Sequence, residues 1–405
     1  MQPFRTLLLP SMGLYSYAIA WTLQSFGVNA RVLEPAGRQA VELALSCLRG
    51  AECLPCLVTL GDLMAELKKT DDARGLAYFM PTAKGPCRFG LYRSLQELTL
   101  KELGAKVAFF SLDASEGYSF GVKAKGVELA LFKAIVAADI LEAVRAALAP
   151  QFHGRDVGEL DDTYGYAKEA LRASLCNGGQ DLKATLARLN RVFAPIKKAP
   201  CPPSPPLVAF VGEIFIRGNP VANGGIVAKL EALGLEVAPA PMAEWLKWVF
   251  LTHARRLARE GRRLEALKAY LKLFVLERAE GHLRALFPGF QYRLESGRIS
   301  QIAKKAFPYA KECFGGEGLL MLGKARSLLE DGAAGVVCVY PFGCLPGNIV
   351  RVLSKGLARE YRRPWLNVSI EPLEGTHLMT RLEAFAGQVL GRAKRPPSPY
   401  AAGIG

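Results

Sequence analysis

The stretch Lys197-Lys-Ala-Pro-Cys-Pro-Pro-Ser-Pro-Pro206, followed at once by Leu207-Val-Ala-Phe-Val-Gly-Glu-Ile-Phe-Ile216, decides how this chain divides. Four of the prolines fall within residues 202–206. Proline has no amide hydrogen and a fixed φ, so such a run enters neither a helix nor a central strand and reads as a linker. The apolar run behind it, rich in valine, isoleucine and phenylalanine, predicts a strand over 207–216. A loop over 217–225, a helix over 226–233 and a strand over 235–238 follow, which is the opening of a βαβ unit.

The region before the linker begins the same way. Strands are predicted over 5–9, 30–34, 76–80 and 106–112, alternating with helices over 15–26, 39–49, 59–69 and 91–103. From 127 to 198 the pattern turns helical. Beyond the second βαβ opening come helical segments over 242–286 and 302–329, a strand over 335–340, a helix over 349–361, a strand over 365–370 and a helix over 379–392. With 405 residues the chain is too long for one ordinary core. The expected fold is α/β: two Rossmann- or flavodoxin-like domains with mostly parallel sheets plus a helical insertion. Its divisions are an N-terminal domain over 1–126, helices over 127–198, the linker 199–206, a C-terminal domain over 207–394 and a flexible tail over 395–405.

Composition narrows the class. The richest apolar segment, Val127 to Leu148, carries Glu128, Lys133, Asp139, Glu142 and Arg145, so no membrane span is expected. The first residues lack the charge, apolar core and cleavage pattern of a signal peptide, which points to a cytoplasmic protein. A formal net charge of +15 raises the question of nucleic acid. The basic residues are nonetheless scattered over helices, with one dense cluster at Arg255, Arg256, Arg259, Arg262 and Arg263. An acidic protein or a phosphate-bearing substrate such as an acyl-CoA suits that charge equally well. Nucleic acid is not the expected partner.

Nine cysteines, an odd number without a secretion signal, do not suggest a disulfide framework. Three share one kind of surrounding: Cys53 in Glu52-Cys-Leu-Pro-Cys56, Cys87 in Gly85-Pro-Cys-Arg-Phe-Gly90 and Cys344 in Phe342-Gly-Cys-Leu-Pro-Gly347. Proline and glycine bend the backbone and leave amide groups free to face sulfur. Each cysteine falls in a predicted loop at a sheet edge, where function collects in open α/β sheets. Three such sites, far apart in sequence, suggest a shared inorganic centre. The spacing is unlike the close pairs of zinc ribbons or the runs of ferredoxins. Cys53 and Cys56 form a Cys-x-x-Cys pair, but without the strand expected before a thioredoxin-type motif. Cys338, between Val337 and Val339, reads as core; Cys47, Cys176 and Cys313 read as structural, and Cys201 as solvent-facing. Arg88, beside Cys87, either tunes the centre's charge or holds an anionic substrate, or else caps its turn. Glu213 and Arg217 follow the first strand of the second domain, at the cleft edge, as catalytic candidates or as an internal ion pair. The histidines His153, His253, His282 and His377 form no ligand-like pair.

The strings Glu52-Cys-Leu-Pro-Cys-Leu-Val-Thr-Leu-Gly61, Phe79-Met-Pro-Thr-Ala-Lys-Gly-Pro-Cys-Arg-Phe-Gly90 and Tyr340-Pro-Phe-Gly-Cys-Leu-Pro-Gly347 resemble those of the 2-hydroxyacyl-CoA dehydratase family. The closest likeness is to the dehydratase-like region associated with CoA-substrate-specific activases. Gly212-Glu-Ile-Phe-Ile-Arg-Gly-Asn-Pro220 and Thr380-Arg-Leu-Glu-Ala-Phe385 fit the same resemblance, which runs through nearly the whole chain. It implies a 4Fe-4S cubane held at the domain interface by Cys53, Cys87 and Cys344, with one iron open. A double-cubane 8Fe-9S cluster, as in related proteins, is the alternative, and Cys56 is the cysteine placed to join the three. The resemblance also implies low-potential electrons from a separate ATP-dependent iron–sulfur activase, an acyl-CoA substrate, and a homodimer or a heterodimer with a related subunit. No Gly-x-x-x-x-Gly-Lys-Ser/Thr phosphate loop occurs in the chain, which agrees with nucleotide chemistry residing on another protein. The competing readings are an ATP-dependent double-cubane reductase of small molecules, a non-catalytic electron-relay or scaffold subunit, and a metal-free nucleic-acid binder supported by charge alone.

Overall fold

A computed structural model describes residues 4–49, 52–70, 73–85, 87–113, 126–152, 158–198, 205–290, 297–311, 316–372 and 377–393. Two four-stranded sheets, each all-parallel, organise the chain. The first holds β1 (Thr6–Leu9), β2 (Ala30–Val32), β3 (Leu76–Phe79) and β4 (Ala108–Phe110), in the order β2-β1-β3-β4. The second holds β5 (Leu207–Gly212), β6 (Glu236–Pro239), β7 (Gly335–Pro341) and β8 (Trp365–Ile370), in the equivalent order β6-β5-β7-β8. Both follow the flavodoxin-like winding expected from sequence, and in each the strand order reverses beside the first strand. The central strands read as continuous apolar runs because parallel sheets are covered on both faces. In β7, Gly335 to Pro341, every residue is buried.

Helices fill the connections. In the first half these are α1 (Leu14–Ser25), α2 (Arg38–Leu45), α3 (Leu54–Leu67) and α4 (Tyr92–Glu102). The predicted helical insertion is α5 (Val127–Leu148), α6 (Gly158–Cys176) and α7 (Leu182–Lys198). The second half adds α8 (Ile214–Gly218), α9 (Ile226–Ala232), α10 (Met242–Arg259), α11 (Arg263–Arg284), α12 (Ile299–Ala306), α13 (Gly318–Glu330), α14 (Leu345–Glu360) and α15 (Leu378–Ala393). Among the described residues no helix is long and apolar enough to cross a membrane. Cys201 and Cys313, His153, and the linker and tail over 199–204 and 394–405 lie outside the described residues.

The insertion is not a separate lobe. Its apolar faces join one core with α1, with α10 to α14 and with one face of the second sheet. A buried charge network pins the junction. Asp139 on α5 accepts from the amides of Met242 (2.7 Å) and Ala243 (2.9 Å), capping α10. Arg284 lies 3.7 Å from Asp139 and 2.8 Å from Glu280, which also pairs with Lys247 at 2.5 Å. Removing one member would strand the others in a dry interior, so such a network is costly to break. The opposite face of the second sheet is covered by α9 and α15, together with Val41 from α2 and Leu54 and Val58 from α3. The first half therefore helps to seal the second.

Three predicted boundaries move, for local reasons. The strand expected over 207–216 stops at Gly212, whose φ is 149°. A Cβ there would lie 2.0 Å from the carbonyl oxygen of Val339, so only glycine allows β5 and β7 to close up at this end. Glu213 then turns the chain into α8 by accepting from the amides of Phe215 (3.2 Å) and Ile216 (2.9 Å). The helices expected from 59 and 349 begin earlier, at Leu54 and Leu345, because each has proline in its first turn, where a missing amide costs nothing.

Helices that connect parallel strands start at the strands' carboxyl edge, and the two carboxyl edges face each other. Behind β1 and β5, Asn219 Nδ2 donates to the carbonyl of Ser11 at 3.0 Å. Behind β3 and β7, Arg88 Nη2 donates to the carbonyl of Gly343 at 2.8 Å and contacts that of Phe342 at 3.5 Å. Equivalent edges of the two domains thus meet.

Candidate metal centre

At this junction four residues share one backbone role. Cys53 is the N-cap of α3 (φ −63°, ψ 138°), and Cys344 is the N-cap of α14 (φ −64°, ψ 121°). Cys87 precedes the 3-10 turn Arg88–Leu91 (φ −73°, ψ 132°), and Glu213 is the N-cap of α8 (φ −62°, ψ 136°). An N-cap side chain sits where helix amides lack intrahelical partners, and these amides favour negative charge. The amide of Gly347 donates to Cys344 Sγ at 3.4 Å. Cys344 and Cys53 are each 6% exposed; Cys87 is half-buried.

The three sulfurs feel a common electrostatic neighbourhood. Burial pushes the Cys53 thiol up, against a hydrogen bond from Tyr92 and the charge of Arg88, while Glu213 adds to the rise. Burial pushes Cys87 up to about 11; the amide of Phe89 opposes this, and Glu317, Glu213 and Cys53 reinforce it. Burial also raises Cys344 far above the ordinary thiol range, opposed by the Gly347 amide and reinforced by Glu213, Glu317 and Cys53. Left alone, these cysteines would stay protonated. Only a strong positive partner, such as metal, makes thiolates of them.

Among the described residues no three His, Cys, Asp or Glu side chains close on a point as one ion would require. A lone ion such as zinc needs every sulfur about 2.3 Å from a single centre. A cubane binds each thiolate to a different iron and suits more widely spaced sulfurs. Three N-cap cysteines around one junction, with backbone amides at Cys87 and Cys344 and the charge of Arg88 at Cys53 to offset negative charge, fit that group as a donor set.

Cys56, in the first turn of α3, shares the core cluster of the first domain with Cys53 and is 1% exposed. Gln96 Nε2 donates to its carbonyl at 3.1 Å and lies 3.8 Å from its sulfur. Burial raises its thiol to about 12. Cys338 is wholly buried in β7, paired in register with Val211 and Asn367. Cys47 follows α2, half-buried, and Cys176 ends α6.

Of the other predicted residues, Arg88 bridges the two cysteine loops, and its charge lowers Cys53 and Cys56. Glu213 spends both carboxylate oxygens on backbone amides, so the suggested ion pair with Arg217 gives way to a helix cap. Arg217 still lowers Glu213 through its charge, and its Nε is buried without a hydrogen-bond partner. A residue not anticipated from sequence completes the group: Glu317, N-cap of α13 and 8% exposed, accepts from the Ile214 amide at 3.2 Å. Burial and the neighbouring charge of Glu213 hold it well above the carboxylate range. Its sequence signal was the glycine on each side, Gly316 and Gly318, which marks a tight turn into a helix. Exposed apolar residues frame the junction: Leu91, Phe342 and Leu345 are 65%, 63% and 44% in solvent. A separate cavity of about 200 Å³, lined by Thr22, Phe26, Leu129, Lys133, Leu175 and Leu182, lies at the far end of α1 from this edge.

The chain matches no protein-family model and no curated protein.

Proposed function

We propose that the protein is an iron–sulfur protein similar to the 2-hydroxyacyl-CoA dehydratases, with Cys53, Cys87 and Cys344 holding one 4Fe-4S cluster between the two domains. The observation that carries this reading is the meeting of three N-cap cysteines where equivalent sheet edges face each other. When bound, such a cluster supplies a low-potential electron and an open iron for reductive or dehydrating chemistry on an acyl-CoA or another small substrate. The chain's own residues provide the setting. The amides of Gly347 at Cys344 and Phe89 at Cys87 and the charge of Arg88 at Cys53 offset the negative sulfurs. Glu213 and Glu317, both raised by burial and Glu317 also by the charge of Glu213, are the groups placed to pass a proton to a leaving hydroxyl or a reduced substrate. Arg217, with its orphaned Nε, is the candidate to hold an anionic group of the substrate. The apolar frame of Leu91, Phe342 and Leu345 suits docking of a separate ATP-dependent iron–sulfur activase. Packing of Cys56 under Gln96 favours a single cubane over a double one.

Anaerobic preparation with iron and sulfide analysis tests this. About four irons per chain are expected; about eight would replace the single cubane with a double one, and none would sink the proposal. Cys87→Ser should lose most of the iron and all activase-dependent reduction while the sheets persist. Cys338→Ser should keep the iron and lower stability by about 1–3 kcal/mol, the cost of an unsatisfied buried hydroxyl. Equal iron loss in both variants would make Cys338 a ligand.

A further inference from the structure

Helix α11 carries two apolar faces. One packs into the protein through Ala266, Leu273, Leu276 and Leu283. The other points to solvent: Leu264 is 77% exposed, Leu267 65%, Leu271 61% and Phe274 54%, with Val275 at 44% and Tyr270 at 39% beside them. The first four are spaced three, four and three residues apart, which is the seam of a two-stranded helical packing. Scattered surface leucines need no explanation, but a continuous stripe does.

We propose that this stripe is the contact between two copies of the chain, with α11 packed antiparallel on α11 of a second copy about a two-fold axis. Aromatic side chains bury about 150–250 Å² each. Six residues this exposed therefore leave several hundred square ångströms of apolar surface in water, at or above the roughly 300–600 Å² of a typical monomer's largest patch. With the stems of Arg263, Lys268 and Arg278 alongside, the area approaches the ~800 Å² per partner of a standard stable interface. The seam is self-complementary. Antiparallel pairing sets Leu264 against Phe274 of the partner subunit and Leu267 against Leu271 of the partner subunit.

Charge gives the pairing a signature. The stripe is bordered mainly by cations, namely Arg263, Lys268 and Arg278, while Glu265 is engaged by Arg262. Two like-charged borders repel, so salt should tighten the dimer. An acidic partner protein on the same stripe would be held less tightly as salt rises. The proposal is independent of the metal centre.

Sedimentation of the full chain over a wide concentration range, at low and moderate salt, tests it. A dimer that strengthens with salt is expected. Leu267→Glu and Leu264→Glu should each raise its dissociation constant at least about tenfold, as loss of a central interface anchor does. Both side chains are exposed, so the melting temperature of the dilute monomer should not change. A wild-type chain that stays monomeric overturns the proposal. So does a dimer indifferent to both substitutions, or one that loosens as salt is added.

Discussion

The two sheets share one winding but not one strength. The strands of the second run to seven residues in β7 and six in β5 and β8, whereas those of the first span three or four. The edge strand β4 has no fully buried residue, while β7 is buried throughout. The stronger sheet supplies one of the three cysteines and both buried carboxylates; the weaker supplies the other two. A centre built across them would brace the weaker half against the stronger, and each half's sensitivity to change should differ accordingly.

Glycines at helix crossings offer the sharpest test of that asymmetry. In the first half a Cβ on Gly61 of α3 would lie 1.8 Å from the carbonyl oxygen of Ala40 on α2. In the second a Cβ on Gly323 of α13 would lie 2.1 Å from that of Ile302 on α12. Backbone cannot yield as a side chain does, so either alanine must push two helices apart, at about 3 kcal/mol or more. Thermal unfolding should show both losses. Gly61→Ala should in addition lower iron retention several-fold, because α3 begins at Cys53, whereas Gly323→Ala should leave iron content largely unchanged. Equal iron loss from both would mean that the two halves are not mechanically distinct.

That α3 begins at Cys53 was the least legible part of the site. The alternation of strands and helices was readable because parallel strands buried on both faces leave long apolar runs, as in Leu207 to Gly212 and Gly335 to Tyr340. The helical insertion was readable because the apolar run Val127 to Leu148 is far too long for a strand. Its merger with the second domain was not, because it depends on Asp139 meeting Met242 and Ala243 across a long separation. The cysteines were placed in loops, yet Leu-Pro after Cys53 and Cys344 is a helix-opening signal. Read that way, the same letters would have set both sulfurs at helix starts. Glu317 fell inside the segment 302–329 read as helical, and only the fold brings it to the Ile214 amide.

Buried carboxylates extend the comparison to pH. Asp62 in the first half and Asp139 in the insertion are both raised by burial to about 6. A carboxyl group with a folded pKa above its unfolded value binds more protons when folded. Its contribution is fully favourable below the unfolded value near 4 and is lost as pH rises through about 6. For Asp62 the loss amounts to roughly 2–3 kcal/mol. Only the Ala36 amide, at 2.7 Å, donates to Oδ1, and Oδ2 is buried without a partner. Asp62→Asn should therefore stabilise the protein at pH 7 by roughly 2–3 kcal/mol and flatten the fall between about pH 4 and 6. Asp139→Asn should instead destabilise, because an amide replaces one of two oxygens that cap α10 and leaves Arg284 with less charge to face. Melting curves across pH 4 to 8 separate the two; if Asp62→Asn lowers the melting temperature at pH 7, the burial argument for that residue is wrong.

The smallest expected effects belong to the two bridges between the sheet edges, which also ask which edge carries the centre. Asn219 is 1% exposed and donates to Ser11 while its Oδ1 accepts from Ala222 at 3.0 Å. Asn219→Ala strips a partner from two buried backbone groups, so a loss of about 1–3 kcal/mol is expected. Arg88 is half-buried, and its exposed bond to Gly343 competes with water, so Arg88→Ala should cost less, about 1 kcal/mol or below. Iron should rank them in the opposite order. Arg88 ties the Cys87 turn to the loop that delivers Cys344 and lends positive charge to Cys53, whereas Asn219 joins edges that carry no cysteine. Arg88→Ala should therefore release iron to a chelator several-fold faster than the parent chain, and amide exchange in residues 342–347 should quicken with it. Asn219→Ala should melt earlier yet hold iron nearly as long. If it releases iron as fast as Arg88→Ala, the centre depends on the whole domain junction and not on the β3–β7 edge.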